Sequence, residues 1–506
     1  MKNTFFIKSI VLINAFTFFG YTYAQEKKSF ELVIDETSIH QTIDNFAASD
    51  AWSCQFAGNW PDEKKNAIAD WLFSMDTLAN GNPKGIGLTL WRYNIGAGSA
   101  RQGAGSGIRD EWRRAASFAG NTGTPNEQIA AQNWFLSAAK KRGVQQFLGF
   151  FNSPPQWLTK NGKAFATKGA GNIDSSNYTR FACHAIDAIK QIQQSTGITF
   201  NYISPVNEPQ WEWSDGGQEG CPYSNAEISN LIKSFNRAFI DSGITTKIIL
   251  PEAGHIKYLL KDDDKPGKGN QIDAFFNASS PLFIGDLPTV CHSVATHSYF
   301  STSPFNEAST IRTQTKESIS HIPGLQLWQS EYCILGDNAG EIDGRKRDLG
   351  MNAALYVAKV IYLDLVMANA TAWQWWLAVS PYNYKDGLIY IDKNKTDGNY
   401  HDSKMLWAFG NYSRFIRPGM KRVNISSPDS NLLASAYKDE QTGRLTVVLV
   451  NPTATQKTIT VSNGTSGYKK CITYTTDAMN NLARQVVTGT HLVIPAQSVV
   501  SVILEK

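Results

Sequence analysis

The sequence predicts an α/β protein: a TIM (β/α)8 barrel with an appended all-β antiparallel sandwich. Three observations carry this. From Thr42 to about Tyr412, short apolar runs alternate with longer stretches of helical periodicity. After Arg414-Phe415-Ile416-Arg417-Pro418-Gly419 that pattern gives way to short period-two runs separated by turns. Two glutamates, Glu208 and Glu331, each close a predicted strand among aromatic residues. The chain has 506 residues, 42% of them hydrophobic, enough for a sizeable core and more than one domain.

Residues 1–24 read as a secretory leader. Lys2 and Lys8 give a basic start, Ser9–Phe19 an apolar middle, and Thr22-Tyr23-Ala24 a cleavage site before Gln25. The apolar stretch falls short of the roughly 20 residues that a membrane span needs. Residues 25–41 hold an edge strand, Phe30–Ile34, expected to join the sandwich.

The barrel, placed at 42–412, takes eight strands: Thr42–Ala48, Gly87–Tyr93, Gln146–Asn152, Tyr202–Asn207, Lys247–Pro251, Ser293–Ser298, Leu325–Ser330 and Thr371–Trp376. Helices fall between them, at Asp62–Met75, Asn126–Lys141, Tyr178–Ser195, Asn225–Ser242 and Asp348–Asn369. The sandwich, at 413–506, takes Leu432–Tyr437, Leu445–Val450, Lys457–Val461, Cys471–Thr475 and Ser498–Leu504, with a hairpin turn at Asp439–Gly443.

A formal net charge of +4, of which the leader lysines supply two, is too weak and too scattered for a nucleic-acid partner. Six cysteines without Cys-x-x-Cys pairs fit either disulfides or buried thiols and give no zinc signature. No metal or cofactor is called for, and a monomer is expected.

Breaking a glycosidic bond needs a proton for the leaving oxygen and a group to capture the oxocarbenium-like centre. Two carboxyls supply both if their surroundings separate their pKa values. Glu208, in Pro205-Val206-Asn207-Glu208-Pro209, and Glu331, in Gln329-Ser330-Glu331-Tyr332, end the fourth and seventh predicted barrel strands. Such tips can meet across the barrel mouth. A non-catalytic carbohydrate-binding barrel would not need both groups. A metal-dependent hydrolase would show His and Asp clusters at strand ends, which eight scattered histidines do not form.

Several motifs strengthen the case: Asp44–Trp52 at the first strand, Leu90-Trp91-Arg92-Tyr93-Asn94 at the second, Ser153–Gly162 after the third, and Phe409–Gly419 at the return to the sandwich. With the two glutamate motifs, they resemble glycoside hydrolase family 30, a family of retaining barrel glycosidases, across essentially the whole mature chain. The resemblance implies Glu208 as acid/base and Glu331 as nucleophile. One departure is Asn45-Phe46-Ala47-Ala48 where the family often has Gly-Phe-Gly-Gly; the added methyls should narrow the pocket floor.

The neighbours suit the same chemistry. Asn207 can bond a sugar 2-hydroxyl, Arg92 can hold the nucleophile ionised, and Tyr299 can donate to Glu331. His297 is read as a satisfied core histidine before a supporting group, and Glu252 as a third carboxylate near the mouth. Trp157, Trp211 and Trp373 are assigned as sugar platforms. Asp50, Trp52 and Asn152 complete the substrate-binding set. Val206–Trp213 and Ser49–Trp52 most resemble the endo-β-1,6-galactanase branch, so the expected substrate is β-1,6-galactan of arabinogalactan side chains. Glucuronoxylan, which would call for a basic cluster in the late loops, is disfavoured because 377–392 offers only Lys385. β-1,6-Glucan differs by one axial hydroxyl and stays open.

Overall fold

The computed structural model describes residue 1 and residues 29–118, 126–462 and 470–505. The leader expected over 1–24 lies outside these apart from Met1.

The chain forms two sheets. The first is the barrel. β2 (Asn45–Ser49), β3 (Leu90–Asn94), β4 (Gln146–Phe150), β5 (Tyr202–Ser204), β6 (Lys247–Ala253), β7 (Val290–His297), β8 (Gln326–Tyr332) and β9 (Ala372–Ser380) are parallel neighbours in that order. Pairing of β9 with both β8 and β2 closes the ring. All eight expected strands are present, with ends moved by a few residues. β9 outruns the ring, and β10 (Gly387–Ile391) and β11 (Tyr400–Asp402), which no sequence pattern announced, extend its upper end.

Helices cover the barrel for local reasons. Asn126 caps Glu127–Lys141 by accepting from the Gln128 and Ile129 amides. Ser224 and Glu227 form a reciprocal capping box on Asn225–Asp241. Helix Phe305–Ser320, absent from the sequence reading, has few apolar residues to mark its period; its buried face includes Arg312 and Thr315.

The second sheet has nine strands: β1 (Ser29–Thr42), β12 (Lys421–Ser426), β13 (Leu433–Lys438), β14 (Leu445–Asn451), β15 (Lys457–Ser462), β16 (Lys470–Thr476), β17 (Ala483–Val487), β18 (His491–Ile494) and β19 (Ser498–Glu505). Leu32, Val447, Leu449, Ile459, Leu492 and Val502, from five of these strands, share one apolar cluster. Pairing is antiparallel except between β1 and β15, which run parallel. β1 comes from before the barrel rather than from a hairpin, so its direction is not tied to its neighbours. It pairs with β12 on the other side, joining the segment before the barrel to the first strand after it. Helix Lys404–Ser413 links the units: Asn411 donates to the Tyr474 carbonyl and the Ser501 hydroxyl.

Candidate active site

The strand order brings together residues far apart in sequence. β5 stops at Ser204, three residues earlier than its pattern suggests, and Pro205–Asn207 carry the chain to Glu208. Glu208 takes a left-handed backbone (φ 44°), as does Glu252 (φ 55°) at the end of β6. Such a conformation costs of order 1–3 kcal/mol in a non-glycine residue and needs support from its surroundings. Here the Glu208 amide donates to the Glu252 carbonyl at 2.9 Å, and the Trp213 indole donates to the Glu208 carbonyl at 3.0 Å. Glu331 is the penultimate residue of β8, and Arg92 lies on β3.

Glu208 and Glu331 present carboxylate oxygens within 4.8 Å of each other. Their settings differ. Arg92 donates through Nη1 to Oε2 of Glu331 at 2.6 Å, and the Tyr299 hydroxyl donates to Oε1 at 2.9 Å. One oxygen thus faces a cation and the other a phenol, a setting for an ionised carboxylate. The Arg92 guanidinium lies 3.8 Å from the Phe150 ring centroid, which fixes its plane. Burial pushes the Glu208 carboxyl above the usual range, the contact with His297 pulls it down, and Glu331 pushes it up again; the net shift is upward.

His297, at the tip of β7, joins the carboxylates. Its Nδ1 lies 2.9 Å from Oε1 of Glu208 and 3.6 Å from Oε1 of Glu331, and its Nε2 lies 3.0 Å from Oε2 of Glu252. Burial opposes the charged ring, but Glu331, Glu208 and Glu252 outweigh it and raise the imidazole to about 10. Glu252 is fully buried; that alone would raise its pKa, yet Arg92, His297 and Ser330 leave it lowered. Among the described residues, Glu208, His297 and Glu331 are grouped closely enough to share a metal ion. They fit one poorly: both ring nitrogens of His297 face carboxylates, and a protonated ring has no lone pair to donate.

The other expected residues divide. Asn207 accepts from Nη2 of Arg92 at 3.4 Å. Asn152 is buried with neither amide atom bonded among the described residues, and the buried Trp52 indole N–H is likewise unbonded, so each keeps a hydrogen-bonding group without a partner. Trp157 is 39% exposed and packs edge-on against His184. Trp211 stands beside Glu208, seated against Gly254, where a Cβ would lie 2.4 Å from the indole nitrogen.

Two assignments are corrected. Trp373 is fully buried on the outer face of β9, where it donates to Asp364 at 2.9 Å and packs against Phe409. The period of two turns Gln374 and Trp376 inward instead: Gln374 donates to Asn45, and Trp376 packs at 90° on Trp52 and near Arg92. Asp50 offers no free oxygen. It accepts from the Asn94 amide at 2.7 Å and from Gln132 at 2.9 Å, and burial raises it to about 8. Of the two floor methyls, Ala47 shares the inward face of Asn45, whereas Ala48 shares the outward face on which Phe46 meets Phe409.

The model of the O-glycosyl hydrolase family 30 matches residues 29–390. The chain belongs to glycoside hydrolase family 30. Mouse lysosomal acid glucosylceramidase is 23% identical over 343 residues, 64% of this chain and 60% of that protein. An exo-β-1,6-galactobiohydrolase of Bifidobacterium longum subsp. longum is 22% identical over 183 residues, 29% of this chain and 12% of that protein. The match thus spans less than two thirds of the length of either relative. An exported protein of Bacteroides fragilis is 32% identical, with TM-score 0.86 over 94% of this chain and 100% of that one. The catalytic domain of a xylanase C from Talaromyces cellulolyticus, 21% identical, aligns at 0.68 over 94% and 100%. An endo-β-1,6-glucanase, 15% identical, aligns at 0.66 over 94% of each chain. These last two share the fold.

Within this family 30 barrel, sequence reasoning undervalued His297, Glu252 and Trp376. The signal for His297 was present: it lies two residues from Tyr299, so if one faces Glu331 along an extended strand, so does the other.

Proposed function

We propose that the protein is a retaining glycoside hydrolase acting on β-1,6-linked galactan, attacking within the chain, with Glu208 as acid/base and Glu331 as nucleophile. One observation carries the mechanism: the two carboxyls approach within 4.8 Å in unlike settings. Retention needs a short separation, near 5–5.5 Å between the carboxyl groups, whereas inversion leaves roughly 6.5–9.5 Å for a water. In the first step Oε of Glu331 attacks the anomeric carbon as Glu208 protonates the departing oxygen. In the second, Glu208 takes a proton from water, which displaces Glu331. Asn207, Asn152 and Trp52 offer polar atoms to the sugar, and Trp376 an apolar face.

The choice of galactan rests on the resemblance of Val206–Trp213 to the galactanase branch and on similarity to a β-1,6-galactobiohydrolase. Lys385 gives glucuronoxylan no support: it is buried and donates to the carbonyls of Asp343, Arg345 and Lys346. The apolar leader supports export, and no helix among the described residues is long and apolar enough to cross a membrane. Product profiling on β-1,6-galactan, β-1,6-glucan and glucuronoxylan side by side tests the reading. It expects oligosaccharides from galactan with β products forming first; release from glucan or xylan alone rejects the galactan assignment.

A further inference from the structure

Phe300 follows Tyr299, the residue that donates to Glu331. It is 54% exposed, more than Trp157 at 39%, whereas Trp52, Tyr299 and Trp376 are covered. Its backbone is left-handed (φ 56°), which a bulky residue adopts at a cost unless the position is useful. The ring is held on three sides. Trp211 meets it edge-on at 6.3 Å, Tyr299 lies at 6.2 Å, and a Cβ on Gly336 would come within 3.2 Å of it. An exposed aromatic that is strained and immobilised presents a fixed apolar face to solvent.

Trp211 locates that face. A Cβ built on Gly254 would lie 2.4 Å from Nε1 of Trp211 and 3.2 Å from Cβ of Glu208, so the indole abuts the acid. Trp52, three residues beyond β2, and Trp376, on β9, pack together near Arg92. A general acid stands on the leaving-group side of the bond it protonates. The Trp211–Phe300 pair is therefore on the side of the departing sugar.

We infer that Phe300, with Trp211 behind it, forms a subsite for the leaving group and stacks on the apolar C–H face of a hexopyranose there. This rests on Glu208 being the acid. Such a subsite helps only substrates whose leaving group is a sugar, and in the reverse sense it seats an acceptor sugar for transglycosylation.

The test compares Phe300→Ala, Phe300→Tyr and wild type on two substrates with the same glycone: a β-1,6-galactotetraose and β-1,6-galactobiosyl fluoride, whose fluoride leaves without touching the subsite. Phe300→Ala is expected to lose roughly tenfold in kcat/KM on the tetraose and stay within about twofold on the fluoride, with Phe300→Tyr restoring the tetraose rate. Equal loss on both substrates, or no loss on the tetraose, overturns the subsite. A wild type inert on both galactosides but active on the matching β-1,6-glucosides rejects the galactan reading instead; the Phe300 comparison is then read on the glucoside pair.

Discussion

The imidazole of His297 bridges two carboxylates: Nδ1 lies 2.9 Å from Glu208 and Nε2 lies 3.0 Å from Glu252. Glu252 does not reach the sugar. It holds the ring that touches the proposed acid, and so sets how readily Glu208 gives up its proton. His297 and Glu252 are positioning residues in this account.

The first prediction concerns pH and rate. Glu208 must be protonated to act, and its carboxyl is raised above the ordinary value. The alkaline limb of kcat/KM should therefore lie above the roughly 4.3 of a free glutamate. His297 lowers that pKa, so His297→Asn should move the limb to higher pH while reducing kcat. A limb that stays in place on losing His297 contradicts the coupling.

Glu252→Gln removes the partner that helps keep His297 charged. Loss of kcat by about tenfold or more is expected, with KM changed little, because no sugar contact is lost. A rise in KM at constant kcat would mean that Glu252 binds substrate after all.

Stability should follow the same charge. The His297 pKa rises from 6.5 to about 10 on folding, so its contribution is fully present below pH 6.5 and is lost as pH climbs through 10. Glu252, lowered from 4.5, has the opposite sign: its contribution is present above pH 4.5 and is lost on acidification. The difference in Tm between wild type and His297→Asn should shrink from pH 7 to 10. Asp50, raised to about 8, destabilises both proteins over an overlapping range and cancels from the difference. A constant difference in Tm refutes the assignment of charge.

Two of the three tryptophans of β9 separate a binding role from a purely structural one. Trp376→Ala should raise KM and also lower Tm, because the ring is buried against Trp52 and Phe150. Trp373→Phe leaves the buried Asp364 short of a donor and should cost about 1–3 kcal/mol in unfolding free energy with KM unchanged. The reverse outcome would return Trp373 to the mouth.

The barrel was legible because its eight strands are apolar runs that only a buried parallel sheet accommodates, and the paired glutamates because Pro209 and the aromatics around Glu331 mark strand tips. Strands such as Ala483–Val487, with no buried residue, carry no apolar pattern to read. Parity was harder. In Ala372-Trp373-Gln374-Trp375-Trp376 every other residue is apolar enough for either face, so only the register with β2 tells which tryptophan looks inward. The pairing of His297 with Glu252 depends on the register of the neighbouring strands β6 and β7, which shifts between Leu250 and Ala253 and which no local pattern encodes.

The most direct test is covalent. Incubation with a 2-deoxy-2-fluoro β-galactobioside bearing an activated leaving group, followed by proteolysis and mass spectrometry, should find one glycosyl adduct per chain, on the peptide containing Glu331 and at that side chain. An adduct on Glu208 or Glu252, or turnover of β-1,6-galactan with inverted products and no adduct, would contradict the account.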